Sequence, residues 1–212
     1  MKYNKQTLDG LITRFGLQIE NKSRVFDAAP PVQISNLLRE VLAANTDFAF
    51  EIGTEKARSE FIVAPVLSEV REQMRPRVSL FSGVEFKVDV SAGLHGTCDF
   101  LLSLSPLQSV IQSPVAAIVE AKNDNLKNGL AQCLAEMLAA QKFNAQRGNV
   151  ISTVYGVITT GSLWKFLSLH NNMATIDKTE YYIDHIEKVV GIFVWLLREA
   201  EAARDAATSA TI

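Results

Sequence analysis

The chain has 212 residues, 48% of them hydrophobic, enough for one full-sized core, and no composition break divides it into two domains. Its 21 basic and 23 acidic residues leave a formal charge of −2, which excludes a general polycation, so any contact with nucleic acid must come from a local patch. Two cysteines, Cys98 and Cys133, stand in apolar segments without metal-ligand spacing, which reads as buried reduced thiols in a cytoplasmic protein rather than a disulfide or a zinc site.

Met1–Gly16 carries Lys2, Lys5, Asp9 and Arg14 among its apolar residues, so it is not expected to be an export signal. Apolar residues at three- and four-residue spacing predict helices over Thr7–Phe15 and Ile34–Ala44, separated by Pro30-Pro31. In Thr54–Met74 the residues Glu60, Val63, Ala64, Leu67, Val70 and Met74 fall on one helical stripe, which predicts Glu60 on the core face. Pro65 should kink or divide that helix. A hairpin pattern follows, Val78–Val90 and Thr97–Leu104 around a turn-rich Ser91–Gly96, with Asp99 on its second strand.

A loop holding Pro106 and Pro114 leads into the strand Val115–Lys122, then a helix over about Leu126–Asn144. Two strands, Thr153–Thr160 and Leu163–Leu169, flank Gly161-Ser162, and a last helix covers about Ile183–Arg204. This order predicts an α/β (α+β) single domain: a central mixed sheet with helices on both faces. The longest apolar run, Val189–Leu197, is far short of the ~20 residues a membrane helix needs, so no membrane partner is expected. On the last helix Ile192 and Trp195 project away from the stripe of Ile186, Val189, Val190 and Phe193, so it should pack on the N-terminal helices or on a second copy, as a homodimer.

The tripeptide acid-x-Lys occurs three times, at Glu20–Lys22, Glu85–Lys87 and Glu120–Lys122. The second copy alternates strictly with apolar residues, as on a solvated strand face, and the first has no apolar strand leading into it. Only the third ends a continuous apolar run, where both charges project to one side of a buried strand. Removing charges from water costs several kcal/mol per ion unless partners or a metal compensate. Asp99 on the adjacent strand and Glu120 supply the one or two carboxylates that Mg²⁺ or Mn²⁺ takes from a protein, with the backbone carbonyl of Ala121 as a further ligand. Lys122 beside such an ion would orient or deprotonate a water for attack on a phosphoryl group.

The succession Ser59-Glu60 with Pro65 and Leu67, Gly96-Thr97-Cys98-Asp99-Phe100, and Ile118-Val119-Glu120-Ala121-Lys122-Asn123 resembles the PD-(D/E)XK, or restriction-endonuclease-like, nuclease superfamily. The resemblance covers a core over about 54–170 and leaves both termini unassigned, where the residue pattern places a helical extension over 1–50 and a C-terminal helix over 183–204. It implies Mg²⁺ or Mn²⁺ on Asp99 and Glu120, a water-assisting Lys122, and Glu60 completing the site from its helix. Gln132, with Glu136 one turn on, looks like the Gln found on the following helix in several branches, and Tyr155–Gly161 with Trp164 and Phe166 looks like the late hairpin of bacterial members. No Pro precedes Asp99, where the name-giving pattern has one. The implied activity is a metal-dependent endonuclease acting on nucleic acid, with DNA the expected substrate. The alternative is a nuclease-fold protein that binds nucleic acid or a protein partner without cutting.

Each residue also has a plainer reading. Glu60 could pair with Arg58 or Arg71 at the core edge, Asp99 could pair across strands with Lys122, and Gln132, opposite the stripe of Leu130, Leu134 and Met137, could be a solvated helix residue. His95, His170 and His185 fall on unrelated elements and form no site together, although His95 lies in the loop leading to Asp99.

Overall fold

The computed structural model describes residues 2–149 and 151–209. A 3-10 turn (Tyr3–Lys5) precedes α1 (Leu8–Phe15), which starts where Thr7 accepts the Gly10 N–H on its side chain and ends at left-handed Gly16. Strand β1 (Gln18–Lys22) follows, then α2 (Asn36–Ile52), capped by Ser35 and ended by Gly53 at φ 68°. The next helical run is continuous but changes pitch: α3 (Glu55–Arg58), a π-helical turn (Ser59–Val63) and α4 (Ala64–Gln73). Pro65 lies just past the π turn, where its missing N–H leaves a carbonyl of the preceding turn to find another donor. The helix is neither broken nor ended there; the irregularity is absorbed by the wider turn.

The sheet holds β2 (Ser79–Asp89), β3 (Leu94–Ser103), β4 (Val115–Ala121), β5 (Thr153–Thr159), β6 (Leu163–His170) and β7 (Met173–Asp177) in the order β1-β7-β6-β5-β4-β3-β2, with β8 (Tyr181–Tyr182) beside β6. The β4–β5 and β1–β7 pairs are parallel and the others antiparallel, so the sheet is mixed. Between β4 and β5 the chain crosses over through α5 (Lys127–Gln146), as parallel neighbours require. α5 lies on one face, close enough that a Cβ on Gly156 would stand 2.4 Å from Met137 Sδ. The last helix, α6 (Ile186–Ser209), covers the other face, where Phe193 meets Trp164 and Phe166 edge-on. The central mixed sheet with helices on both faces is therefore present.

β1, β7 and β8 are additions to the expected strands. Residues 1–50 are not a helical extension alone, because β1 is an edge of the main sheet and Phe26, 2% exposed, packs against Tyr155, Phe166 and Trp195. The apolar surface of α6 is covered within the chain: Ile192 is fully buried, Trp195 meets Phe26, and Gly191 allows the Pro30 carbonyl to approach so closely that a Cβ would stand 2.1 Å from it. Its cover is the segment after β1 together with α4, and at its start Glu187 pairs with Arg39 of α2 at 3.2 Å, so the packing falls on N-terminal elements of the same chain. Among the described residues no helix is long and apolar enough to cross a membrane.

Candidate functional site

The C-terminal end of β4 opens into a cleft of about 750 Å³ that Asp99, Glu120, Lys122 and Gln132 all line. Each is fixed by local structure. The β3–β4 register, Phe100 opposite Val119, would set Asp99 opposite Glu120, but the ladder ends there and Asp99 Oδ2 accepts the Ala121 N–H at 2.9 Å instead. Across β2, the register places Gly83 at φ 59° beside Asp99, with open space where a side chain would stand. Lys122 is held by its own N–H, which donates to Thr159 O at 2.8 Å, and by its stem, which lies against Gly129. Its ammonium donates to Glu120 Oε1 and stands 3.9 Å from Glu55 Oε2.

Glu120 is 1% exposed, and its second carboxylate oxygen has no hydrogen-bond partner. Burial, reinforced by the charge of Asp99 and only partly opposed by Lys122, pushes its pKa up to about 8. Burial acts on Lys122 in the lowering direction, yet the charge and hydrogen bond of Glu120 outweigh it and the ammonium is held above its ordinary range. Behind them Glu136 is fully buried on α5, accepts one hydrogen bond from Gln132 at 3.1 Å, and leaves Oε2 unpartnered. Burial first, then the neighbouring Glu120, raises its pKa well above the carboxylate range. Gln132 is thus half-buried at the cleft and orients an acid beneath it, rather than standing free on a solvated face.

Glu60 does not sit on the core face. It is exposed and pairs with Lys56 at 2.6 Å, not with Arg58 or Arg71. The reason is the π turn, whose extra residue rotates everything N-terminal to Val63 relative to the Leu67–Val70–Met74 stripe. Glu60 lines a smaller cleft of about 240 Å³, which it shares with Asp99, Ala121 and Glu55. Glu55 borders both clefts and is the helix carboxylate that approaches Lys122. It is placed by Gly53-Thr54: Gly53 ends α2, and the Thr54 side chain accepts the Ala57 N–H and starts α3. Arg58, stacked on Phe50 and donating to Thr160 O, ties that helix to the end of β5.

Sequence reasoning missed Glu55, whose only signal is its place just after a Gly-Thr stop-and-start pair. It also left Glu136 without a role of its own, although Cys133, Met137 and Ala140 mark that side of α5 as fully buried. The N-terminal Lys2 and Asn4, which border the cleft, carried no signal at all. For a divalent cation the nearby donors are Asp99, the unpartnered Glu120 oxygen and the Ala121 carbonyl, an all-oxygen set suited to Mg²⁺ or Mn²⁺. Among the described residues no three acidic, His or Cys side chains converge as a self-sufficient metal cage, so water would have to complete the shell. No family model matches the chain, and no curated protein matches its sequence.

Proposed function

We propose that this chain is a nuclease of the restriction-endonuclease-like kind, hydrolysing phosphodiester bonds of nucleic acid, with DNA the expected substrate. The observation that carries the reading is Glu120: a carboxylate buried to 1% exposure, clamped by Lys122 on one oxygen and unpartnered on the other, at the mouth of an open cleft. A purely structural pair has no need of an unsatisfied buried oxygen, which costs about 1–3 kcal/mol. Asp99, Glu120 and the Ala121 carbonyl would hold Mg²⁺ or Mn²⁺. Such a cation, when bound, offsets the negative charge that builds on the phosphoryl oxygens during attack.

The remaining work falls to the chain. Lys122 donates a hydrogen bond that orients the attacking water, and its stem, wedged against Gly129, limits where the ammonium can stand. Glu120 and Glu55 hold that ammonium from two sides. Gln132 and the acid of Glu136 beneath it support the floor of the cleft. One observation favours the non-cleaving alternative: with Lys122 on Glu120 and Glu60 turned to Lys56, the charges already satisfy one another in pairs.

Cleavage of plasmid and single-stranded DNA in Mg²⁺, Mn²⁺ or EDTA separates the two. The nuclease should cut only with a divalent cation, Lys122→Ala should abolish cutting while keeping Mn²⁺ affinity within a few-fold, and Asp99→Ala should lose both. Absence of cleavage by the wild type on every substrate, or equal loss of Mn²⁺ binding in both variants, would reject this division of roles.

A further inference from the structure

The cleft is longer than the reacting group requires. Beyond Asp99 it continues along the β2–β3 hairpin, where His95 and Thr97 alternate with buried Leu94 and Cys98 and so share the open side of β3 with Asp99. Lys87 stands opposite His95 in the register and Glu85 opposite Thr97. Four residues of strand put His95 about 13 Å from Asp99, at about 3.3 Å per residue. That is too far to serve the same phosphate, yet it lies in the same cleft.

The far wall is the N-terminal turn. Tyr3 is fully buried, its hydroxyl donates to Phe86 O at 2.9 Å, and its ring fills the place where a Cβ on Gly96 would lie 2.8 Å from Cδ2. Gln6 donates to Gly93 O and Arg14 to Ala92 O, so the segment is strapped to the hairpin turn at two further points after Tyr3. Lys2 and Asn4, flanking the anchored Tyr3, therefore face the cleft from a fixed base. Among the described residues Lys2 has no carboxylate partner, whereas Lys87 is shared with Glu85 at 2.7 Å.

We propose that this outer part of the cleft is a subsite for a phosphate of a single nucleic-acid strand, held by Lys2, Lys87 and His95 away from the reacting phosphodiester. The inference rests on the nuclease reading for the direction in which the strand runs, from hairpin to Asp99. A slot lined by the N-terminal turn, by Gln132 of α5, on which that turn packs, and by Glu55 takes one strand along its backbone, the usual mode of single-strand grooves.

The test is anisotropy of labelled single-stranded and duplex oligodeoxynucleotides in Ca²⁺ and in EDTA, over a series of salt concentrations. The Lys2→Ala/Lys87→Ala double variant should bind the single strand about tenfold more weakly and lose about 0.7 of salt slope per lysine. Glu85→Gln should bind more tightly, and Lys5→Ala, on the same turn but outside the cleft, should match wild type. In cleavage assays the double variant should raise KM and leave kcat within a few-fold. Lysine-dependent binding without any cleavage would remove the nuclease reading and leave the subsite standing. Unchanged affinity and salt slope in the double variant, an equal loss in Lys5→Ala, or preference for duplex would overturn it.

Discussion

Glu120 titrates near 4.5 in an unfolded chain and near 8 in the folded one, because burial and Asp99 both disfavour its charge. Between those values the unfolded state sheds its proton while the folded state keeps it, so folding stability falls as pH rises from about 4.5 to 8. The contribution is fully present below that window and gone above it, and amounts to a few kcal/mol at about 1.4 kcal/mol per pH unit. Glu120→Gln should remove this loss, so urea melts in EDTA should show the variant gaining on wild type steadily from pH 4.5 to 8. A constant difference across that range would contradict the buried-acid account. Asp99→Asn tests the same cluster from the other side. Lys122 pairs with Glu120 and Glu55, not with Asp99, so the change strands no ammonium and should leave stability in EDTA equal or higher. Wild type should gain about 2.7 kcal/mol at a hundredfold excess of Mn²⁺ over its Kd, and the variant little. A loss of roughly 3–5 kcal/mol in EDTA would mark a structural ion-pair cluster instead.

At the scale of elements, two glycines on α5 and its sheet separate positioning from packing. A Cβ on Gly129 would stand 2.9 Å from Ile158 Cγ2 and 3.1–3.2 Å from Cγ and Cε of the Lys122 stem. Gly129→Ala also gains helix propensity, up to about 1 kcal/mol, so its stability should change little while the displaced ammonium costs at least about tenfold in kcat. Gly156→Ala instead drives a methyl into Met137 and Cys133 in the core and should cost about 1–3 kcal/mol with a smaller effect per surviving molecule on rate. Thermal melts beside cleavage rates read both, and a Gly129→Ala protein of normal rate would sever the link between α5 and Lys122. The elements themselves were legible in the sequence where periodicity was strong. The Val115–Ala121 strand is buried on both faces and reads as an apolar run, and the hairpin strands alternate. Glu60 failed for a definite reason: a helical wheel assumes a constant pitch, and a π turn five residues long breaks it between Ala57 and Val63. β1 failed because a short polar edge strand, Gln18–Lys22, takes its identity from the backbone of β7 and not from its own side chains.

The whole molecule is closed by a segment that local pattern could not rank. Asp177, fully buried at the end of β7, accepts the N–H groups of Arg24 at 3.1 Å, Phe26 at 3.4 Å and Thr179 at 2.9 Å and the Tyr181 hydroxyl at 3.1 Å. Lys188 on α6 completes the join, donating to the carbonyls of Phe26, Asp27 and Ala29. One acid and one base thus fasten the chain after β1 to the sheet and to the last helix, and lay Phe26 into the core between Phe166 and Trp195. Asp177→Ala strands several donors, two of them on buried residues, and at about 1–3 kcal/mol for each buried group left unpaired should cost roughly 3–5 kcal/mol in urea unfolding, with one cooperative transition for the whole chain. Removing residues 2–35 should go further and leave no cooperative transition, because it takes away an edge strand, the Phe26 contacts and the cover over Gly191 together. A truncated chain that still melted sharply near the wild-type midpoint would return the N-terminal residues to the status of an appendage, and with it the boundary near residue 54 that the motifs alone imply.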